Sequence, residues 1–228
     1  VVDVGLASTD LVYFAAGSLD APAAMFTASH NPAQYNGIKM CRAGAAPIGE
    51  ATGLLQIKEA VAAGLLERAE EAGEVHQRDL LADFAEHVRS FVDVSTLRPL
   101  KIVADTANGM GGLVVPEVFA GLPFELTVLY GDLDGTFPNH PADPIQAENL
   151  VDLQAAVRES GADLGLAFDG DADRVFLVDD QGEPVSGSTT TAIVAQSMLR
   201  RFGGGTVVHN LICSKTVPEV IRENGGEP

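Results

Sequence analysis

Three carboxylates at alternate positions, directly after an apolar run, are the strongest chemical signal in the chain. Residues 164–168, Leu-Gly-Leu-Ala-Phe, read as a buried strand; Asp169, Asp171 and Asp173 follow, and Arg174 comes next. Carboxylates this close repel one another unless something positive sits among them. Such oxygen ligands suit a hard divalent cation, and Mg²⁺ takes a few carboxylates and leaves its other positions to water or phosphate. Arg174 adds a planar fork able to hold phosphate oxygens in two-pronged fashion. An EF-hand loop is excluded, because it needs Gly at its sixth position and Glu at its twelfth, where this chain has Arg174 and Asp180. Two other readings stay open. A phosphatase or phosphotransferase that forms an aspartyl-phosphate on Asp169 also carries D-x-D after an apolar strand, and a plain turn with solvated Asp residues needs no ligand at all.

The second signal is Thr27-Ala28-Ser29-His30-Asn31-Pro32, followed by Tyr35-Asn36-Gly37-Ile38-Lys39. A short apolar run delivers Ser29 onto a loop of turn formers. Pro32 disfavours helical backbone at Asn31, so the Ser29 hydroxyl is presented rather than consumed as a helix cap. His30 beside it, and Lys39 a short strand away, make Ser29 a nucleophile candidate. The same composition also suits an ordinary strand-to-turn connection.

Other clusters are weaker. Asp105-Thr106-Ala107-Asn108-Gly109, with Gly111 and Gly112, follows a strand and opens a helix, where N–H groups attract anions. The spacing matches neither a P-loop nor a dinucleotide fingerprint, and close packing explains the glycines equally well. Residues 134–140, Asp-Gly-Thr-Phe-Pro-Asn-His, read as a shaped turn with His140 as a structural hydrogen bonder. His76, His87 and His209 do not cluster.

These residues need a scaffold, and strand and helix patterns alternate along nearly the whole chain. Strands are expected at 1–6, 24–27, 37–41, 100–105, 126–130, 164–168, 174–178 paired with 184–185, and 206–211. Helices are expected at 9–16, 52–67, 78–92, from the glycines to 120, 149–160, 190–201 and 217–224. The alternation predicts an α/β protein of tandem related α/β units, with mixed, mostly parallel sheets and helices on their faces. The units divide near residues 1–93, 94–184 and 185–228. In such sheets ligands bind at the carboxyl ends of strands, where the Asp169 cluster falls.

Fourteen Lys and Arg against 32 Asp and Glu give 228 residues a net charge of -18. That surface repels nucleic acid and anionic lipid, so neither is an expected partner. An acidic protein that binds phosphate must do so through a metal or a few placed cations. Two distant cysteines, Cys41 and Cys213, form no disulfide framework, and a reducing cytoplasm suits them. No apolar run is long enough to span a membrane, and no signal peptide is expected. Nothing in the pattern specifies an oligomeric state. Val1 opens in what reads as a strand already under way, which suggests residues upstream.

Together the two main motifs resemble the α-D-phosphohexomutases, in the phosphomannomutase/phosphoglucomutase branch, with support from residues 105–109 and 134–140. The resemblance runs along essentially the whole chain. It implies a protein of four domains, of which this chain holds the first without its beginning, the second, and the start of the third. Ser29 is then carried as phosphoserine, and its phosphate with Asp169, Asp171 and Asp173 holds one Mg²⁺. Arg174 and Asn31 bind the phosphosugar, while His30 and Lys39 sit beside the transferring group, Lys39 as a proton-transfer or charge-stabilising residue. The implied reaction interconverts hexose 1-phosphate and hexose 6-phosphate, of mannose or glucose, through a bisphosphate intermediate with a hexose 1,6-bisphosphate as activator. The family's substrate-contacting arginine, its sugar loop and its fourth domain are expected outside this stretch. That leaves an inactive fragment binding phosphosugar or Mg²⁺ as a further reading.

Overall fold

The computed structural model describes residues 1–65 and 70–228. The first part of the chain holds β1 (Val2–Asp3), α1 (Thr9–Ser18), β2 (Ala23–Phe26), β3 (Ile38–Arg42), β4 (Ala46–Pro47), α2 (Leu54–Ala62) and β5 (His76–Gln77). α1 begins where it does because the Ser8 hydroxyl accepts a hydrogen bond from the Leu11 amide, at 3.2 Å, satisfying one of the orphan donors of the first turn. Leu11, Val12, Ala15 and Ala16 are buried along one side of it, as a helical repeat requires. β2 and β3 form an antiparallel hairpin that aligns Phe26 with Ile38 and Met25 with Lys39. The eleven-residue connection between them carries Ser29, and the register places Lys39 beside that connection. The expected strand over 1–6 narrows to β1, which pairs in parallel with β5. The expected helix over 52–67 is found as α2, and its last two positions lie outside the described residues.

The central part comprises α3 (Leu81–Arg89), β6 (Leu100–Asp105), α4 (Gly111–Phe119), β7 (Phe124–Leu129), α5 (Val151–Ser160), β8 (Leu164–Phe168), β9 (Val175–Val178) and β10 (Pro184–Val185). Its sheet runs β10-β9-β8-β6-β7. β6 lies between β7 and β8, parallel to both, and its apolar run is buried on both faces. Ile102 and Ala104 face a core shared with α1, α3 and α4. Val103 faces Leu153 and Val157 of α5, both with no exposed surface. This sandwiching is why the strand reads as a continuous apolar stretch rather than an alternating one.

The last part holds α6 (Gly187–Phe202), β11 (Gly205–Thr206), α7 (Thr216–Glu223) and β12 (Gly226–Glu227), around Ala192, Ala195, Leu199, Val217 and Ile221. The strand expected over 206–211 does not form as such: β11 shares only Thr206 with it. Its ladder with β12 ends at Glu227, so the next residues have no neighbour to pair with, and Val208 and Leu211 are 93% and 99% exposed.

Helices and mixed sheets bear out the α/β expectation. The sheets are more evenly mixed than the alternation alone suggests: among the described residues four strand pairings are parallel and four antiparallel. The cause is local. The β3–β4 and β9–β10 connections are short, and a short connection can only return antiparallel.

Candidate active site

β8 and β6 are parallel neighbours, so their carboxyl ends open on one edge of the sheet, and the residues after β8 sit there. The chain turns sharply from Asp169 back into β9; Ala172 takes a left-handed conformation, φ 55°. Asp169 braces this turn itself. Its Oδ1 accepts from the amides of Asp173 at 3.1 Å and Arg174 at 3.0 Å. Its Oδ2 accepts from Ser29 Oγ at 2.9 Å and from Arg174 Nε at 3.0 Å, with Arg174 Nη2 at 2.7 Å. Burial pushes the Asp169 carboxyl above its ordinary value, against the opposing pull of the Ser29 and Arg174 contacts.

Asp171, equally buried, is the hub of a second set. Its Oδ2 accepts from Thr9 Oγ1 at 2.9 Å, Thr27 Oγ1 at 3.0 Å and Lys39 Nζ at 2.7 Å. Lys39 also reaches Asp173 Oδ2 at 2.7 Å and Thr9 Oγ1 at 3.2 Å. Burial raises the Asp171 carboxyl, but the bonds from Lys39 and Thr9 outweigh it and hold the group below its usual value. On Lys39, burial works against the ammonium, and its two carboxylate partners overcome this to raise its pKa.

Ser29 sits directly beside these groups in a left-handed conformation, φ 54°, which costs a non-glycine residue energy unless its surroundings enforce it. They do: its amide donates to Thr27 Oγ1 at 2.9 Å, and its carbonyl packs on Gly170. The hydroxyl is within 2.9 Å of Asp169 Oδ2 and Arg174 Nη2, and 3.3 Å from His30 Nδ1. His30 Nδ1 also meets Arg174 Nη2 closely. Asn31 is exposed, its amide closing a turn on Ala28 O at 3.0 Å. It stands on the rim of a cleft of about 780 Å³ lined by Met25, Ser29, Tyr35, Phe137 and Asp171.

The residues fit a divalent cation. One oxygen from each of Asp169, Asp171 and Asp173 lies within 4.8 Å of the others. More tellingly, Asp171 Oδ1 is buried with no hydrogen-bond partner among the described residues. An orphaned carboxylate oxygen is expensive, and a cation ligated there would relieve the cost.

The structure therefore brings Ser29, His30, Lys39, Arg174 and the three aspartates together, with Asn31 at the edge. Two weaker motifs turn out to be scaffolding. His140 Nε2 lies 2.9 Å from Asp105 Oδ2, and Asn139 Nδ2 donates to Asn108 Oδ1 at 2.8 Å. The amide of Met110, just before α4, donates to Gly170 O at 2.9 Å. The anion cradle considered for 105–109 is thus occupied by the protein's own groups, and this loop supports the aspartate turn instead. His76, His87 and His209 contact Glu74, two phenylalanines and Cys213 respectively. Thr9 escaped the sequence reading. It entered only as the first residue of the helix expected over 9–16, and its partner is 162 residues away.

A serine, an arginine and a carboxylate triad thus converge at the strand ends of an α/β sheet, where ligands bind in sheets of this kind. The α/β/α domain I model of phosphoglucomutase/phosphomannomutase matches residues 1–68, and the domain II model matches 82–182. The chain belongs to the phosphoglucomutase/phosphomannomutase family. It is 41% identical over 229 residues to the phosphohexose mutases of Xanthomonas campestris pv. campestris, covering all of this chain and 51% of that protein. It is 36% identical to the phosphoglucomutase of Neisseria meningitidis, again over its full length and 49% of the relative. A crystal structure of a phosphoglucomutase/phosphomannomutase family protein from Burkholderia thailandensis superimposes with a TM-score of 0.86 at 33% identity, covering all of this chain and 50% of that one. The chain thus spans about half the length of the curated relatives it matches.

Proposed function

We propose that this chain provides the phosphoryl-transfer half of a Mg²⁺-dependent phosphohexomutase, which interconverts the 1- and 6-phosphates of mannose or glucose. One observation carries the reading: the Ser29 hydroxyl lies 2.9 Å from both Asp169 Oδ2 and Arg174 Nη2, at the edge of the carboxylate triad. Ser29 is the residue that carries phosphate. A sugar hydroxyl oxygen attacks the phosphorus, the bond to Ser29 Oγ breaks, and the hydroxyl proton ends, on balance, on Ser29 Oγ. The resulting hexose 1,6-bisphosphate reverses in the cleft and returns its other phosphate to Ser29. Added bisphosphate serves as activator by charging Ser29.

The flanking residues divide the work. Asp169, Asp171 and Asp173 would hold one Mg²⁺, together with the phosphate on Ser29. A cation so bound neutralises charge on the transferring oxygens. Arg174 orients the phosphoryl group and His30 braces Arg174 against Ser29. Asn31 meets the phosphosugar at the rim. The raised pKa of Lys39 favours charge stabilisation over proton acceptance, because the amine stays an ammonium. The proposed units are 1–93 with the phosphoserine loop, 94–184 with the Mg²⁺ loop, and the start of a third from 185. No helix among the described residues is long and apolar enough to cross a membrane, Cys41 and Cys213 are free, and the proposed compartment is the cytoplasm.

The geometry speaks against Asp169 as a phosphate acceptor. Its Oδ1 accepts the two backbone amides that close the aspartate turn and its Oδ2 pairs with Arg174, which suits a fixed ligand better than a nucleophile, whereas the Ser29 hydroxyl faces the cleft. The experiment is conversion of mannose and glucose 1-phosphates to 6-phosphates by the full-length polypeptide, with and without hexose 1,6-bisphosphate. A Ser29→Ala variant that turns over like the parent would sink the proposal.

A further inference from the structure

Asp171 is held in an unusual way. Three donors crowd onto Oδ2, and two of them are hydroxyls from separate elements. Thr9, with 1% of its surface exposed, donates from the first turn of α1 at 2.9 Å, and Thr27, the first residue after β2, donates at 3.0 Å. The Thr9 amide also donates to the Asp171 carbonyl at 3.0 Å, so this residue grips both the backbone and the side chain of Asp171. Thr27 in turn accepts the Ser29 amide at 2.9 Å. The consequence falls on the other oxygen. Oδ1 is buried and without a partner among the described residues, although a carboxylate free to rotate would share its donors between both oxygens.

We propose that Thr9 and Thr27 are positioning residues that saturate Oδ2 of Asp171, present Oδ1 alone to the cation, and thereby set the cation preference of the site. The inference rests on the assignment of the aspartates as cation ligands. Mg²⁺ demands near-ideal octahedral geometry with short bonds, and one oxygen per carboxylate suits it. Ca²⁺ takes more ligands at longer range and readily accepts both oxygens of a carboxylate. A carboxylate whose second oxygen is already occupied therefore disfavours Ca²⁺. Without the hydroxyls, Asp171 can swing until both oxygens face the ion. Outer groups that orient ligands carry this kind of leverage on metal affinity.

The test is calorimetric titration of the protein with Mg²⁺ and with Ca²⁺, comparing the parent with Thr9→Val, Thr27→Val and Thr9→Ser. Valine keeps the shape and removes the hydroxyl, and serine keeps the hydroxyl. Thr27 is only half-buried, so Thr27→Val serves should Thr9→Val fail to fold. Each valine variant is expected to lose Mg²⁺ affinity by about 10–100-fold while Ca²⁺ affinity changes by less than about threefold, and Thr9→Ser is expected to stay near the parent. Equal losses for both ions would mean that the threonines merely support the fold, and would overturn the proposal, as would no loss at all. Absence of Mg²⁺ binding by the parent would overturn the cation assignment and the inference together.

Discussion

Gly170 separates two of the three aspartates, and a single methyl group added there tests how tightly the site is built. A Cβ at this position would lie 2.3 Å from the carbonyl oxygen of Ser29 and 3.5 Å from Ala142 Cβ. The first contact is with backbone, so no side chain can swing aside to relieve it. Opening it from 2.3 Å to an ordinary 3.4 Å moves Ser29 away from the aspartate turn by 1.1 Å. The Ser29 hydroxyl is held at 2.9 Å by Asp169 and Arg174, and half of that movement takes both contacts to the limit of hydrogen-bond range. Misplacement of a reacting group by about 1 Å costs roughly 100-fold in rate, whereas overpacking of this kind costs about 1–3 kcal/mol of stability. Gly170→Ala is therefore expected to remain folded and to slow phosphate transfer from hexose 1,6-bisphosphate to Ser29 by about two orders of magnitude. Rapid-quench phosphorylation and urea unfolding measure the two effects separately. Gly17→Ala, in open space on α1, is the control and should keep the parent rate. A Gly170→Ala protein that phosphorylates at the parent rate would refute the claim that the Ser29 loop and the aspartate turn are rigidly registered.

Two further perturbations probe the electrostatics. Lys39→Met leaves the Asp171 carboxylate buried without its cation, and should cost about 2–4 kcal/mol, a figure reduced from the full buried-pair penalty because Lys39 is partly exposed. Thermal melts should then show Mg²⁺ raising the Tm of Lys39→Met more than that of the parent, and an equal rise would contradict the shared role of ammonium and metal. His140 has its pKa raised, chiefly by its hydrogen bond to Asp105 and against burial. Protonation therefore stabilises the fold, fully below the ordinary value of 6.5, and this contribution fades as pH climbs through the higher folded value. His140→Asn should cost about 1.5–3 kcal/mol in acid and less in alkali; urea unfolding on either side of neutrality would expose a constant difference if the ion pair contributes nothing.

The parts of this molecule legible in its sequence are those governed by local rules. β6 and β8 fall where their apolar runs begin and end, because both strands are buried on two faces and bounded by turn chemistry. The aspartate turn and the Ser29 loop were readable for the same reason: each follows a strand end and consists of residues poor at continuing it. Thr9 shows what escapes such reading. A threonine after a capping serine looks like any helix start, and only the packing of α1 against the aspartate turn turns its hydroxyl toward Asp171. The stretch after β11 shows the converse. Val207, Val208 and Leu211 favour a strand by type, but a strand needs a pairing neighbour, and β12 supplies only two residues of ladder. The roles of residues 105–109 and 134–140 were likewise settled by each other, through Asp105–His140 and Asn108–Asn139, a pairing that neither segment announces alone.

Everything proposed for this site turns on Ser29, and not Asp169, carrying the phosphate. Peptide-resolved mass spectrometry after incubation with a hexose 1,6-bisphosphate and Mg²⁺ tests it most directly. An acid-stable phosphate is expected on the peptide containing Ser29, absent from Ser29→Ala and diminished in Asp171→Ala. A hydroxylamine-sensitive phosphate on Asp169 instead would contradict that role for Ser29.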